Sequence, residues 1–329
     1  MDIATILTVR NGSFRLPGKV TKEIGGKPVM LWIVDRLKEI PGKTIVATTR
    51  EKEDDQIERI CIDNEIPVYR GSTNDVIERM DLAYKTHFPG AKFIFRALGD
   101  CPFLETSFVG HAAEVMSKTK KEAFLWHLAP DTWPVYGARE FPYSIDGWNR
   151  IVKGAKSTED REHVDKYFHD NRNLFSVCYH EPPHTVYFRP YRLEIDWSED
   201  LDLVEEINND IGILSPLSDV IRHLDTRGDL VLKNRDRVEK TGPLTSYDYA
   251  KRRSWMKSMV GKPVVLWNGT FLSPPDGGIP VFCSDGKCLI GYGKEGVLYT
   301  KEGHRVAGDA FLSCNCGSGK YWKDAKKRK

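Results

Sequence analysis

The chain opens on Ile3–Val9, a short β-branched apolar run that reads as a strand. From Val29 to Ile40 (VMLWIVDRLKEI) the apolar positions recur at helical spacing. Lys43–Thr49 (KTIVATT) is a second strand, and Asp54–Asn64 a second helix with Ile57, Ile60 and Cys61 on one face. Ile66–Tyr69 and Lys92–Ala97 (KFIFRA) continue the strands, with a helix predicted over Asp75–Thr86 between them. Strands that are apolar throughout and alternate with amphipathic helices predict an α/β three-layer sandwich with a mostly parallel sheet. Ligands of such sheets bind at the carboxyl ends of the strands. The loops 10–19 and 99–102 both follow strands, so chemistry is expected there.

Beyond residue 120 the pattern is less regular. Phe124, Trp126, Trp133, Tyr136, Phe141, Tyr143 and Trp148 crowd one segment, which reads as core or subunit interface, or as substrate lining. Residues 158–175 look helical, Arg192–Ile195 reads as a strand ending at Asp196, and Ser198–Asn208 and 216–240 as helical segments. After residue 261, glycines separate short β-like runs (VVLWN, IPVFCS, KCLIGYG, GVLYT), the pattern of a small β-rich module.

Charge sharpens that boundary. The 329 residues carry a net charge of only +2. Residues 245–329 hold 15 Lys and Arg against 7 Asp and Glu, which leaves 34 and 40 for residues 1–244. Four of the 7 cysteines, Cys283, Cys288, Cys314 and Cys316, fall in the same tail. The expected organisation is one domain over residues 1–240, a linker over 241–260 and a basic module over 261–329. With 40% hydrophobic residues the chain can bury a core, which excludes wholesale disorder. No apolar run reaches the ~18 residues of a membrane span, and the N-terminus lacks the basic-then-apolar order of a signal peptide. A cytoplasmic protein without membrane partners is expected.

Two features carry chemistry. The loop Arg10-Asn11-Gly12-Ser13-Phe14-Arg15-Leu16-Pro17-Gly18-Lys19 sets three cations and two glycines directly after a strand. Glycines let backbone N–H groups approach an anion, and Arg and Lys neutralise phosphate oxygens. It is not a Walker A loop, because Val20 stands where Ser or Thr is required. The second feature is a pair of acidic strand ends, Gly99-Asp100-Cys101-Pro102 and Glu194-Ile195-Asp196. Convergent carboxylates beside a polyphosphate make a hard-oxygen environment for Mg²⁺. The plainer reading is that Asp196 caps the following helix.

Residues 5–19 (TILTVRNGSFRLPGK), followed by Gly25-Gly26-Lys27-Pro28, resemble the opening signature of the cytidylyltransferase, or CMP-sugar-acid synthetase, family. Its spore-coat polysaccharide biosynthesis protein F branch is matched further by Val46-Ala47-Thr48-Thr49, Asp54-Asp55, Tyr69-Arg70-Gly71-Ser72, Asp75-Val76, Arg96 with Gly99-Asp100-Cys101-Pro102, Asp160-Arg161-Glu162-His163-Val164, and Glu199-Asp200-Leu201. The resemblance implies the Rossmann-like fold of nucleotide-diphospho-sugar transferases, and attack of a sugar or sugar-acid oxygen on the α-phosphate of CTP. The product would be a CMP-activated sugar for polysaccharide or other nucleotide-sugar pathways. It implies that Arg10, Gly12, Ser13, Arg15 and Lys19 hold the triphosphate, with Arg70, Ser72 and Arg79 also on the nucleotide side. It places Arg161, Glu162 and His163 near the acceptor, gives Asp100 and Asp196 the Mg²⁺, and gives Arg10, Lys19, Asp100 and Asp196 the catalysis. A homodimer is implied too. Phe14, Leu98 and Thr8 depart from the family pattern and bear on the choice of base and acceptor.

The same fold also serves sugar-1-phosphate nucleotidylyltransferases that make NDP-sugars, and the chain is alternatively a non-catalytic binding or recruitment protein. In the tail, Cys314-Asn315-Cys316-Gly317-Ser318-Gly319-Lys320-Tyr321 resembles half of a SEC-C zinc motif. Cys283 and Cys288 are the expected completing thiolates of a Zn²⁺ site, with His304 as a substitute; free thiols are the alternative. The basic tail with Tyr321 and Trp322 offers a nucleic-acid contact, although a solvated end is the stronger expectation.

Overall fold

A computed structural model of the chain describes residues 2–126, 135–138, 140–180 and 191–234, together with the backbone of five short strands between 264 and 299. The described residues fall into two compact units. The first is formed by Met1–Leu125, Gly137–His180 and Leu193–Leu214. The second takes Trp126–Tyr136, Glu181–Arg192 and Ser215–Lys329.

The first unit is built on β1 (Ile3–Thr8), which pairs parallel with both β4 (Gly42–Thr49) and β6 (Phe93–Leu98). Two short strands, β2 (Glu23–Ile24) and β3 (Lys27–Pro28), form a hairpin between β1 and β4. Strand β5 (Val68–Gly71) extends the parallel array beyond β4. Past β6 the direction reverses: β8 (Pro142–Ser144) runs antiparallel to β6 and to β7 (Ala123–Trp126). With β9 (Val177–His180) at the edge, the seven strands run in the order β5-β4-β1-β6-β8-β7-β9. The expected mostly parallel α/β sandwich is therefore present. The reversal at β8 had no sequence signal, because Pro142–Ser144 is only three residues long.

Strand β1 is buried along its whole length, and Ile3, Ile6, Leu7, Ile45, Val46 and Phe95 of the central strands are buried completely. Helices α1 (Val29–Leu37), α2 (Asp55–Asp63), α3 (Val76–His87) and α4 (Val109–Thr119) cover them, each laying an apolar stripe inward. Asp75 caps α3 by accepting the Glu78 N–H at 2.8 Å, and Ser144 caps α5 (Ile145–Gly154) by accepting from Gly147 at 3.1 Å. Phe124, Phe141, Tyr143 and Trp148 are buried, so this part of the aromatic segment is core. Trp133 lies outside the described residues.

Three boundaries differ from the sequence expectation. Strand β5 starts at Val68, because Pro67 has no N–H to give a ladder and offers only its carbonyl, to Val46 at 2.8 Å. The expected helix over 158–175 is broken into α6 (Thr158–Glu162), α7 (Val164–Asp170) and a short turn at Arg172–Leu174, with His163 as the non-helical joint. Residues 193–195 form no strand; the Ile195 N–H is taken by the Asp100 carbonyl at 2.7 Å. Helix α8 (Ser198–Ile211) follows.

In the second unit, α9 (Leu217–Thr226) and α10 (Gly228–Lys233) bury Leu217, Val220, Ile221, Leu224 and Leu230. The backbone pairs β10 (Val264–Val265) with β11 (Phe271–Leu272), and β12 (Ile279–Phe282) with β13 (Leu289–Lys294) and β14 (Val297–Tyr299). This is the β-rich character expected of the tail. Cys283, Cys288, Cys314, Cys316 and His304 lie outside the described residues. Among the described residues, no helix is long and apolar enough to cross a membrane.

Candidate active site

The register of the sheet decides where the loops gather. Thr8 lies opposite Ala47 on one side and Leu98 on the other, so β1, β4 and β6 end at nearly the same level. Loop 10–19, the turn at 50–54 and Gly99-Asp100 therefore leave the sheet side by side. Gly99 is required for that closeness. A Cβ there would stand 2.5 Å from Val9 Cγ1 and 3.1 Å from the Thr8 carbonyl.

The cationic loop is held by a buried polar latch. The Asn11 carbonyl accepts from Ser13 at 2.7 Å and from Gly18 at 3.0 Å, and Gly18 takes a φ of +68°. The Asn11 N–H donates to Asp54 Oδ1 at 2.7 Å, and its side-chain amide to the Glu53 carbonyl at 2.8 Å. Asp54 is completely buried, and its Oδ2 accepts from the Thr49 N–H and hydroxyl. Replacing Asp54 with Ala strands these buried donors, each worth about 1–3 kcal/mol when left unsatisfied. The expected result is a drop in melting temperature of ~5–10 °C by calorimetry, with weaker nucleotide binding. An unchanged melt would mean that the loop holds itself.

Lys19 stands at the centre. Its Nζ donates to Asp100 Oδ2 at 2.6 Å and to Asp196 Oδ1 at 2.8 Å. Arg15 Nη2 reaches the same Asp196 oxygen at 2.7 Å, and its guanidinium lies 5.9 Å from the Trp197 ring centroid. The two carboxylates hold the Lys19 ammonium pKa above its ordinary value, although burial, the largest single influence, opposes them. Protonation is therefore secure through neutral pH. The Ile195–Asp100 bond draws the 194–196 segment against the β6 loop, and Asp200 Oδ2 accepts from Asp196 N at 2.9 Å and Trp197 N at 3.0 Å. So Asp200, not Asp196, satisfies the start of α8, and Asp196 is left to face the cations. Arg36 anchors the far side of the loop. It is 5% exposed and donates to the Pro102 carbonyl at 2.7 Å and the Ile213 carbonyl at 2.6 Å.

Asp100, Glu194 and Asp196 each offer a carboxylate oxygen, and the three oxygens lie within 4.8 Å of one another. Three hard oxygen donors at that spacing, one of them from the almost fully buried Asp196, suit a divalent ion such as Mg²⁺. Glu194 had not been assigned. The spacing was informative, since residues two apart in an extended segment share a face.

The other expected site residues are placed as follows. Gly12 and Arg10 are exposed, and the Ser13 hydroxyl accepts from Leu16 within the loop at 3.3 Å. Arg70 is wholly engaged by its own protein. It pairs with Asp55 at 2.7 Å and Glu58 at 2.8 Å and donates to the Thr49 and Glu51 carbonyls. Ser72 accepts from the Asp75 N–H at 3.0 Å. Arg161 ties α6 to α3 through Asp75, at 2.8 and 2.7 Å, and reaches the Val152 carbonyl. Glu162 and His163 are half-buried; burial first, then the charge of Arg96, pushes the His163 pKa down. Arg79 is buried on α3, and its Nη1 donates to the Ser72 carbonyl at 2.7 Å.

A mostly parallel sheet with a cationic glycine loop and facing carboxylates at its carboxyl edge defines a nucleotidyltransferase. The family model described as cytidylyltransferase matches residues 4–215, and the chain belongs to that family. Its chemistry is CTP-using nucleotidyl transfer. An uncharacterized protein of Methanocaldococcus jannaschii is 31% identical over 217 residues, 65% of this chain and 86% of that one. The spore coat polysaccharide biosynthesis protein SpsF of Bacillus subtilis is 25% identical over 217 residues, 64% of this chain and 88% of that one. A solved cytidylyltransferase from Leptospira borgpetersenii shares the fold with a TM-score of 0.63 at 24% identity, covering 70% of this chain and 97% of that one.

Proposed function

We propose that this enzyme transfers CMP from CTP to an oxygen of a sugar or sugar acid, releasing pyrophosphate, and that it works with Mg²⁺. The observation that carries this reading is the contact of Lys19 and Arg15 with Asp100 and Asp196 at the carboxyl edge of the sheet. The new bond forms between the acceptor oxygen and the α-phosphorus, the bond from that phosphorus to the β-phosphate oxygen breaks, and water takes the hydroxyl proton. Arg10, Arg15 and Lys19 offset the charge that builds on the departing pyrophosphate, while Gly12 and Ser13 let the loop backbone close on the phosphates. Asp100, Glu194 and Asp196 would hold the metal, which supplies Lewis-acid polarisation of the phosphate oxygens when bound. The SpsF-like relative supports a role in making activated sugars for polysaccharides. A cytoplasmic homodimer and a Zn²⁺-binding tail complete the proposal.

The test is pyrophosphate release by the full-length protein with CTP and MgCl₂ over a panel of sugar acids and sugar phosphates. Turnover specific to CTP with at least one acceptor is expected. No pyrophosphate release with any nucleotide, alongside tight binding of a macromolecule by residues 245–329, would make the protein a recruitment factor instead. NDP-sugar formation from a sugar 1-phosphate would replace the CMP-sugar reading with the other activity of this fold.

A further inference from the structure

On the sheet face covered by α3 and α5–α7, two guanidinium groups, Arg79 buried and Arg96 half-buried, have donors to spare. Arg96 lies on β6 two residues beyond Ile94, and Ile94 pairs with Tyr143, so Arg96 and Tyr143 share that face. The Tyr143 hydroxyl donates to Asp165 Oδ1 at 2.9 Å. Arg96 Nη1 is 3.6 Å from Asp165 Oδ2, beyond hydrogen-bond length. Arg79 on α3 is 3% exposed, and its Nη1 donates to the Ser72 carbonyl at 2.7 Å. The Nε atoms of both Arg79 and Arg96 are buried without a hydrogen-bond partner.

The neighbouring carboxylates do not settle this. Asp54 and Asp75 offset part of the Arg79 charge, but Asp54 is committed to Asn11 and Thr49, and Asp75 to Arg161 and the Glu78 N–H. Burial, then the charges of Arg10 and Arg96, bring the Arg79 pKa down to about 10. Buried donors are seldom left idle, and an anion bound between two guanidinium groups satisfies both.

We propose that Arg79 and Arg96 form an anion subsite beside the triphosphate loop, and that it receives the acceptor's own carboxylate or phosphoryl group. Naming the acceptor as the occupant rests on the nucleotidyl-transfer reading above; the anion binding itself does not. A neutral sugar would leave both Nε donors idle, so the subsite selects charged acceptors.

The experiment is calorimetric titration of the full-length protein, preloaded with saturating CTP, with inorganic phosphate and separately with acetate. At least one anion is expected to bind the wild type, and to bind Arg79→Met and Arg96→Met at least tenfold more weakly. CTP affinity of Arg96→Met should change less than threefold. Tighter phosphate binding points to a sugar phosphate acceptor, and tighter acetate binding to a sugar acid. Should Arg79→Met fail to fold, Arg79→Lys keeps the charge without the fork and should still lose anion affinity. Three results overturn the subsite: neither anion binds the wild type, binding persists in the folded variants, or Arg96→Met loses CTP instead. Failure of CTP to bind at all would refute the nucleotidyl-transfer reading. The same titrations without nucleotide would then decide the subsite.

Discussion

Replacing Asp196 with Asn is expected to lower turnover about 10²–10³-fold, the usual loss when one preorganised electrostatic group is removed. The melting temperature should move by only a few degrees. The two effects separate because the backbone around Asp196 is held by other groups. Asp200 accepts its N–H, and the Ile195 N–H is fixed to the Asp100 carbonyl. The side chain alone faces chemistry, with Lys19 and Arg15 both on one oxygen, 2.8 and 2.7 Å away. Asn keeps the shape and removes the charge that holds those cations and, on the proposal, the metal. Divalent-ion affinity should fall with the rate, read from Mn²⁺ binding. Asp100→Ala should behave alike. Near-wild-type turnover in either variant would refute the carboxylate assignment, and a large fall in melting temperature would make Asp196 a structural residue.

Much of this site was legible because it follows from strand ends. A parallel sheet fixes where its loops emerge, so the position of loop 10–19 and of Asp100 followed once the strand–helix alternation was recognised. What was not legible was which cations are free. Arg70 and Arg161 stand in motifs, and the structure pairs them with carboxylates on neighbouring elements: Asp55 and Glu58 in one case, Asp75 in the other. Arg36, on the amphipathic helix α1, is buried against two carbonyls. In each case the partner lies at a sequence distance that no local pattern encodes. Arg96 shows the reverse. It sits inside a strand otherwise made of apolar residues, an expensive place for a charge, and that anomaly is the sequence signal for the proposed anion subsite.

Lys19→Met is the sharper experiment, because it should move two measurements in opposite directions. Turnover with CTP is expected to fall about 10²-fold or more, since a cation that offsets the pyrophosphate charge is gone. Mn²⁺ binding to the nucleotide-free protein is expected to tighten, by roughly tenfold. The Lys19 ammonium bridges Asp100 and Asp196, two of the three carboxylates a divalent ion would need, so that ion must displace it. Opposite charges in partly buried contact attract by several kcal/mol, of order 4 at an effective dielectric near 20. Displacement is therefore a real competition whenever no phosphate is present to receive the ammonium. With a triphosphate in the loop, Lys19 would gain an alternative anion and release the carboxylates, which would link metal loading to nucleotide binding. Electron paramagnetic resonance of Mn²⁺ with the full-length protein, with and without CTP, reads this directly. In the wild type, CTP should strengthen Mn²⁺ binding more than it does in Lys19→Met. Circular dichroism checks that the variant folds, and Lys19→Arg retains the charge, so it should bind Mn²⁺ as weakly as the wild type without nucleotide. Weaker Mn²⁺ binding in a folded Lys19→Met would show that the lysine supports the metal position instead of occupying it.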